Sequence, residues 1–123
     1  MIPTRKLGKT NYHATIFGLG GEGILRTTSY FKEAESVIKK AVDVGVNYFD
    51  TAPAYQQSRD YLGKFLWNYA KRENVFLASK THDRTCEGTL SLVEDSLRRL
   101  NTDYLDLLQL HDLREKEEVN EIF

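Results

Sequence analysis

Residues 47–55 read Asn47-Tyr48-Phe49-Asp50-Thr51-Ala52-Pro53-Ala54-Tyr55. The stretch closes an apolar run of strand length, Val46–Thr51, on a carboxylate, then turns through one of the two prolines in the chain. A β-branched and aromatic run of this length suits a buried strand. Before it, from about Lys32 to Val44, residues Ala34, Val37, Ile38, Ala41 and Val42 fall on one face at helical spacing. Gly45 follows, where a helix end needs a residue that tolerates positive φ. After it, from about Ser58 to Lys71, Tyr61, Leu62, Phe65, Leu66 and Tyr69 make a second apolar stripe, with Ser58 as the expected N-cap. The centre of the chain therefore predicts helix, strand, helix.

Working outward, three more strand-length runs stand at Thr15–Leu19, Val75–Ser79 and Tyr104–Leu110. A third helix is predicted from about Glu87 to Leu100, with Leu90, Val93, Leu97 and Leu100 on one face and Arg98 and Arg99 suited to its C-terminal dipole. Cys86 reads as a small residue at its start. A fourth helix begins near Arg114. Thr4–Ala14, centred on Gly8, is expected to form a small hairpin before the first of these strands. The alternation repeats at about 30 residues, the size of a βα unit in a parallel sheet. Pattern alone leaves two architectures: an open doubly wound sheet, or part of a (β/α)8 barrel.

Composition narrows the class of function. The 123 residues carry 17 Lys plus Arg against 18 Asp plus Glu, a net charge of −1. That balance gives no reason to expect nucleic acid or a membrane as partner. Hydrophobic residues at 41% and charged residues at 28% are ordinary for a globular protein and too apolar for disorder. One cysteine permits no internal disulfide and suits a reducing compartment. Met1–Thr10 lacks the apolar core of a signal peptide, and no run approaches the ~18 apolar residues of a membrane span. A soluble cytoplasmic protein is the expectation.

The polar residues converge. Asp50 closes the second strand, Lys80 follows the third and His111 follows the fourth. Parallel βα sheets place all strand C-termini on one face, where functional sites gather. Tyr55 lies in the loop just beyond Asp50. Side-chain alternation would point Asp50 and Tyr48 inward and Phe49 toward the helices; likewise Lys80, Ala78 and Phe76, and His111, Gln109 and Leu107, would face inward. A free tyrosine, with a pKa of about 10, is a poor acid at pH 7, but a neighbouring ammonium favours its phenolate. A carboxylate would hold that ammonium in place, and a histidine could bind a substrate oxygen. The set fits carbonyl reduction by an external hydride donor, with Tyr55 as general acid. No activated nucleophile stands out, and His13, His82 and Cys86 show no metal-ligand spacing. Gly18–Gly23 is a weak phosphate-loop lookalike without a Walker lysine.

Residues 47–55 resemble the aldo-keto reductase signature. So do Arg5-Lys6-Leu7-Gly8, Phe17-Gly18-Leu19-Gly20-Gly21, Tyr61-Leu62-Gly63-Lys64-Phe65-Leu66 and the run from Ser96 to His111, Ser96-Leu97-Arg98-Arg99-Leu100-Asn101-Thr102-Asp103-Tyr104-Leu105-Asp106-Leu107-Leu108-Gln109-Leu110-His111. The resemblance covers nearly the whole chain. It implies a (β/α)8 barrel, NADPH as cofactor and a small-molecule carbonyl substrate. It further implies Tyr55 as general acid, Lys80 as the group that tunes it, Asp50 as partner of Lys80 and His111 as the carbonyl-orienting group. Gly20, Gly21, Glu22 and Asp50 match cofactor-contacting positions. Gln56 and Arg59 stand where the family often has Gly and Glu, and both are expected at the rim of the site.

A full barrel takes about 250 residues. The chain is therefore expected to form one domain, 1–123, holding about the first four βα units, a partial barrel. The family's adenosine- and 2′-phosphate-binding groups, and those that stack on and hydrogen-bond the nicotinamide, would lie in the other half, so NADPH binding by this chain alone is expected to be weak. Tyr48, Phe76 and Leu107 are expected to face solvent and drive self-association through the open half-barrel face. The sequence leaves open a reductase portion, a self-associating half barrel, or a non-catalytic binding or regulatory module.

Overall fold

The computed structural model describes residues 1–122; Phe123 lies outside the described residues. A two-stranded antiparallel hairpin comes first, β1 (Thr4–Lys6) with β2 (His13–Thr15), and Gly8 takes the positive φ of its turn. A parallel sheet follows in the order β3 (Leu19–Gly20), β4 (Tyr48–Asp50), β5 (Phe76–Thr81) and β6 (Leu107–Leu110). Helices α1 (Phe31–Asp43), α2 (Ser58–Phe65) and α3 (Cys86–Leu100) join successive strands, and α4 (Lys116–Ile122) follows β6. Sequential parallel pairing selects the barrel over the doubly wound alternative, whose strand order reverses.

Helix boundaries match the sequence pattern closely for α1 and α3. Gly45 has φ 89° just past α1, and the Thr85 side chain caps α3 by accepting from the Gly88 N–H at 3.0 Å. The core lies between the sheet and the helices: Phe49 and Leu77 from the strands meet Ile38, Leu62, Leu66 and Leu100, all essentially without solvent contact. Phe49 thus points at the helices, as alternation requires.

Several expectations fail for physical reasons. The run Thr15–Leu19 is not one strand. Thr15 donates its N–H to Asn47 Oδ1 (2.8 Å) and its hydroxyl to the Phe17 carbonyl (2.7 Å), so the chain turns, and the first parallel strand shortens to Leu19–Gly20. Ser58 is not an N-cap. It is the first residue of α2, which has no side-chain cap, and its hydroxyl bonds Thr51 instead. That helix ends at Phe65 and tightens into a 3-10 turn, Leu66–Asn68, where Trp67 donates its indole N–H to the Leu100 carbonyl at 2.7 Å. Arg59 is not at a rim: it is buried against α3, donating to Asp95 (2.9 Å) and Ser96 (3.0 Å). The strand expected from Tyr104 begins at Leu107, because Arg72 grips the preceding residues through the Tyr104 carbonyl (2.9 Å) and Asp106 (2.8 Å).

Phe76 also departs from expectation. It is buried, sandwiched between Tyr48 (ring centroids 5.3 Å) and Tyr12 from the hairpin connection (4.8 Å). The Tyr12 hydroxyl donates toward the carbonyls of Asn47 (3.3 Å) and Asn74 (3.2 Å), just before β4 and β5. The hairpin therefore covers the N-terminal end of the sheet, and the opposite end stays open.

Candidate active site

The open end carries the four residues picked out by the sequence. Asp50 ends β4, and Lys80 lies inside β5, which runs two residues beyond the predicted strand. Gly20 of β3 pairs with Asp50 of β4, Asp50 with Ala78 of β5, and Lys80 of β5 with Gln109 of β6, so four adjacent strands present their ends side by side. The Lys80 ammonium donates to Asp50 Oδ2 at 2.5 Å and to the Thr51 carbonyl at 2.9 Å. The lysine side chain is 12% exposed and its aspartate partner 25%, a pair largely withdrawn from water. A charge-assisted bond in that setting is strong and fixes the position of the ammonium.

Tyr55 follows a tight turn in which its N–H donates to the Ala52 carbonyl (3.0 Å). Its ring lies over the ammonium, 4.8 Å from ring centre to Lys80 Nζ. It also meets the His111 imidazole edge-on, with centroids 5.6 Å apart and planes at 83°. His111 is held by its backbone: its N–H donates to the Thr81 carbonyl (2.8 Å), and its own carbonyl accepts from Arg84 (2.8 Å). Asp50, Lys80, Tyr55 and His111 thus form one continuous cluster.

A cavity of about 550 Å³ opens over Tyr55 and His111. Glu22 and Arg26 line it from the segment after β3, His82 from the end of β5, and Asp112 and Arg114 from beyond β6. Its wall is dominated by polar groups, which suits a small polar ligand. Arg26, Arg114 and His82 line the pocket in addition to the residues expected there. His82 could have been found, since it continues the inward parity of Ala78 and Lys80.

The proposed cofactor positions separate. Gly20 leaves open space: a β-carbon there would meet no atom within 4 Å. Gly21 is buried, and a β-carbon would stand 2.3 Å from Ser58 Oγ and 2.8 Å from the Asp50 carbonyl oxygen. Glu22 faces the cavity and pairs with Arg26 at 3.3 Å. Gln109 holds a buried Oε1 with no partner among the described residues.

A parallel βα sheet with its polar cluster at the strand C-termini, and a hairpin across the other end, defines a partial (β/α)8 barrel. The chain belongs to the aldo/keto reductase family, whose sequence model matches residues 15–123. It is 36% identical over 120 residues to aldo-keto reductase YhdN of Bacillus subtilis, covering 85% of this chain and 36% of that protein. It is 39% identical over 85 residues to methylglyoxal reductase DkgA of Escherichia coli O157:H7, covering 65% of this chain and 29% of that protein. Among solved structures, aldo-keto reductase AKR11C1 of Bacillus halodurans, in its holo form, superposes with a TM-score of 0.85 at 29% identity, covering 99% of this chain and 44% of that one. The chain spans less than half the length of these relatives. Among the described residues, no helix is long and apolar enough to cross a membrane.

Proposed function

We propose that this chain carries the catalytic residues of an NADPH-dependent reductase that converts aldehyde or ketone carbonyls to alcohols. The observation that supports it best is that the Tyr55 ring packs against both the Lys80 ammonium and the His111 ring. A carbonyl oxygen bound in the cavity would lie against both Tyr55 and His111. His111 polarises it by hydrogen bonding, and Tyr55 donates its phenolic proton to the oxygen as charge develops there. Lys80, held by Asp50, stabilises the phenolate left behind. Similarity to a methylglyoxal reductase supports a small aldehyde among the substrates.

The residues present fit the ribose next to the nicotinamide of the cofactor. Gly20 leaves room for a close approach at the end of β3, and the partly exposed Asp50 carboxylate stands beside it. Those two residues would hold the ribose side. When bound, NADPH supplies the hydride to the carbonyl carbon.

The test is NADPH oxidation by the purified protein, at cofactor concentrations high enough to offset the weak binding expected of this chain alone, with a panel of aldehydes and ketones, methylglyoxal included. Tyr55→Phe is expected to lower turnover by at least about a hundredfold, the scale of general acid catalysis, with an unchanged circular dichroism spectrum. Undiminished turnover in that variant would remove Tyr55 from the acid role.

A further inference from the structure

We infer that Ser58 is a positioning residue that ties Tyr55 to Lys80; this rests on the reductase reading of the site. Ser58 is wholly buried, although α2 begins with it and a serine there ordinarily faces water. It makes two separate connections. Its backbone N–H donates to the Tyr55 carbonyl at 2.8 Å. Its hydroxyl lies 2.8 Å from Thr51 Oγ1, and Thr51 is also wholly buried. The Thr51 carbonyl accepts from the Lys80 ammonium at 2.9 Å, and the Thr51 N–H donates to the Ala78 carbonyl on the same strand as Lys80. One residue therefore fixes both the segment that carries the phenol and the carbonyl that receives the ammonium.

The node has no slack. A β-carbon on Gly21 would stand 2.3 Å from Ser58 Oγ and 3.1 Å from Thr51 Cα, leaving no room for a side chain where the ends of β3 and β4 meet α2. Arg59, the next residue, is locked to Asp95 and Ser96 on α3, which prevents α2 from rotating to compensate. A hydroxyl pair in a dry interior costs free energy when one partner is removed, because the other cannot turn to water. Loss of the Ser58 hydroxyl would therefore move the Thr51 peptide and leave the backbone tie to Tyr55 in place.

Nuclear magnetic resonance of the Lys80 ammonium tests this without turnover, using the chain labelled with 15N at lysine. In the native chain its protons are expected to exchange slowly with water, held by Asp50 and Thr51. Ser58→Ala and Thr51→Val should each speed that exchange by about fivefold, the equivalent of one net hydrogen bond, with little further change in the double variant. Thr51→Ser keeps the hydroxyl and should restore slow exchange, which a merely structural effect of altering residue 51 would not do. Unchanged exchange in Ser58→Ala and Thr51→Val would overturn the assignment, as would multiplied effects in the double variant. If Ser58→Ala does not fold, the contrast between Thr51→Val and Thr51→Ser decides alone. Absence of reductase activity would count against the reductase reading and would leave the exchange result standing.

Discussion

The Lys80 ammonium lies 4.8 Å from the centre of the Tyr55 ring while it donates to Asp50 at 2.5 Å. The cation is thus anchored by one residue and applied to another. Removing either end has different consequences. Lys80→Met should lower carbonyl reduction by at least about a hundredfold, because the developing phenolate loses its counter-charge. Asp50→Asn keeps the ammonium and should cost less, since the Thr51 carbonyl still holds it. Steady-state turnover of the two variants checks the order; equal losses would contradict it.

The buried Arg59 predicts an asymmetric pair of stability changes. Its side chain is 6% exposed, and burial lowers its pKa, a change opposed by Asp95. Asp95→Ala strands that charge and should destabilise by about 3–5 kcal/mol, whereas Arg59→Leu removes the charge itself and should be close to neutral. Urea unfolding of both variants measures the difference.

Acid should loosen the end of the chain nearest the site. Backbone N–H groups of Glu115 and Arg114, with the Arg84 side chain, pull the Glu118 carboxyl from its ordinary 4.5 down to about 2. A carboxyl depressed by folding contributes stability above 4.5 and loses it as pH falls toward 2. Arg84 bonds both Glu118 (3.1 Å) and the His111 carbonyl (2.8 Å), so release of one disturbs the other. Hydrogen exchange at the Arg114 and Glu115 amides should rise across that window, beyond the intrinsic change with pH. In Glu118→Gln that rise should disappear.

Gly63 sets the distance between α2 and α3. A β-carbon there would stand 2.0 Å from the Arg99 carbonyl oxygen. That neighbour is backbone and cannot swing aside. Gly63→Ala should therefore destabilise by about 1–3 kcal/mol despite the better helix propensity of alanine. A thermal midpoint at or above that of the native chain would show that the helices can separate at no cost.

The isolated 123-residue chain is expected to self-associate. Strands β3 and β6 form the lateral edges of the sheet among the described residues. Ile16 and Phe17 near one edge are 60% and 65% exposed, and Leu108 on the other is 42% exposed. Apolar groups beside unpaired strand edges invite pairing. Sedimentation at micromolar concentration should show species larger than the monomer.

Much of the site is legible in the sequence because parallel βα units bring all strand C-termini to one face. Asp50, Lys80 and His111 each stand at the end of a strand-length run, and the structure brings all three to one end. The contacts the sequence hid join residues distant in the chain or override a local rule. Tyr12 reaches Asn74, 62 positions away, and nothing in the hairpin's own pattern indicates what it covers. Ser58 stood in the pattern of a helix cap, yet burial against Gly21 and Thr51 took its hydroxyl elsewhere. The family pattern puts Arg59 at the rim of the site, and nothing local shows otherwise, because its partners on α3 lie 36 and 37 positions later.

Arg72 has a reach beyond its own neighbourhood. It donates to Thr102, Val75, Tyr104 and Asp106, and its guanidinium lies 3.6 Å from the centre of the Tyr104 ring. Asp106 in turn accepts from the Leu77 N–H at 2.9 Å, immediately before β6 begins. A strand sliding by two residues keeps every side chain on its face but travels about 7 Å. Such a slip in β6 would preserve the hydrophobic pattern and carry His111 out of reach of Tyr55. Arg72 forbids it. The height of the histidine above the barrel floor is thus indexed by an arginine 39 positions earlier, at the opposite end of the strand.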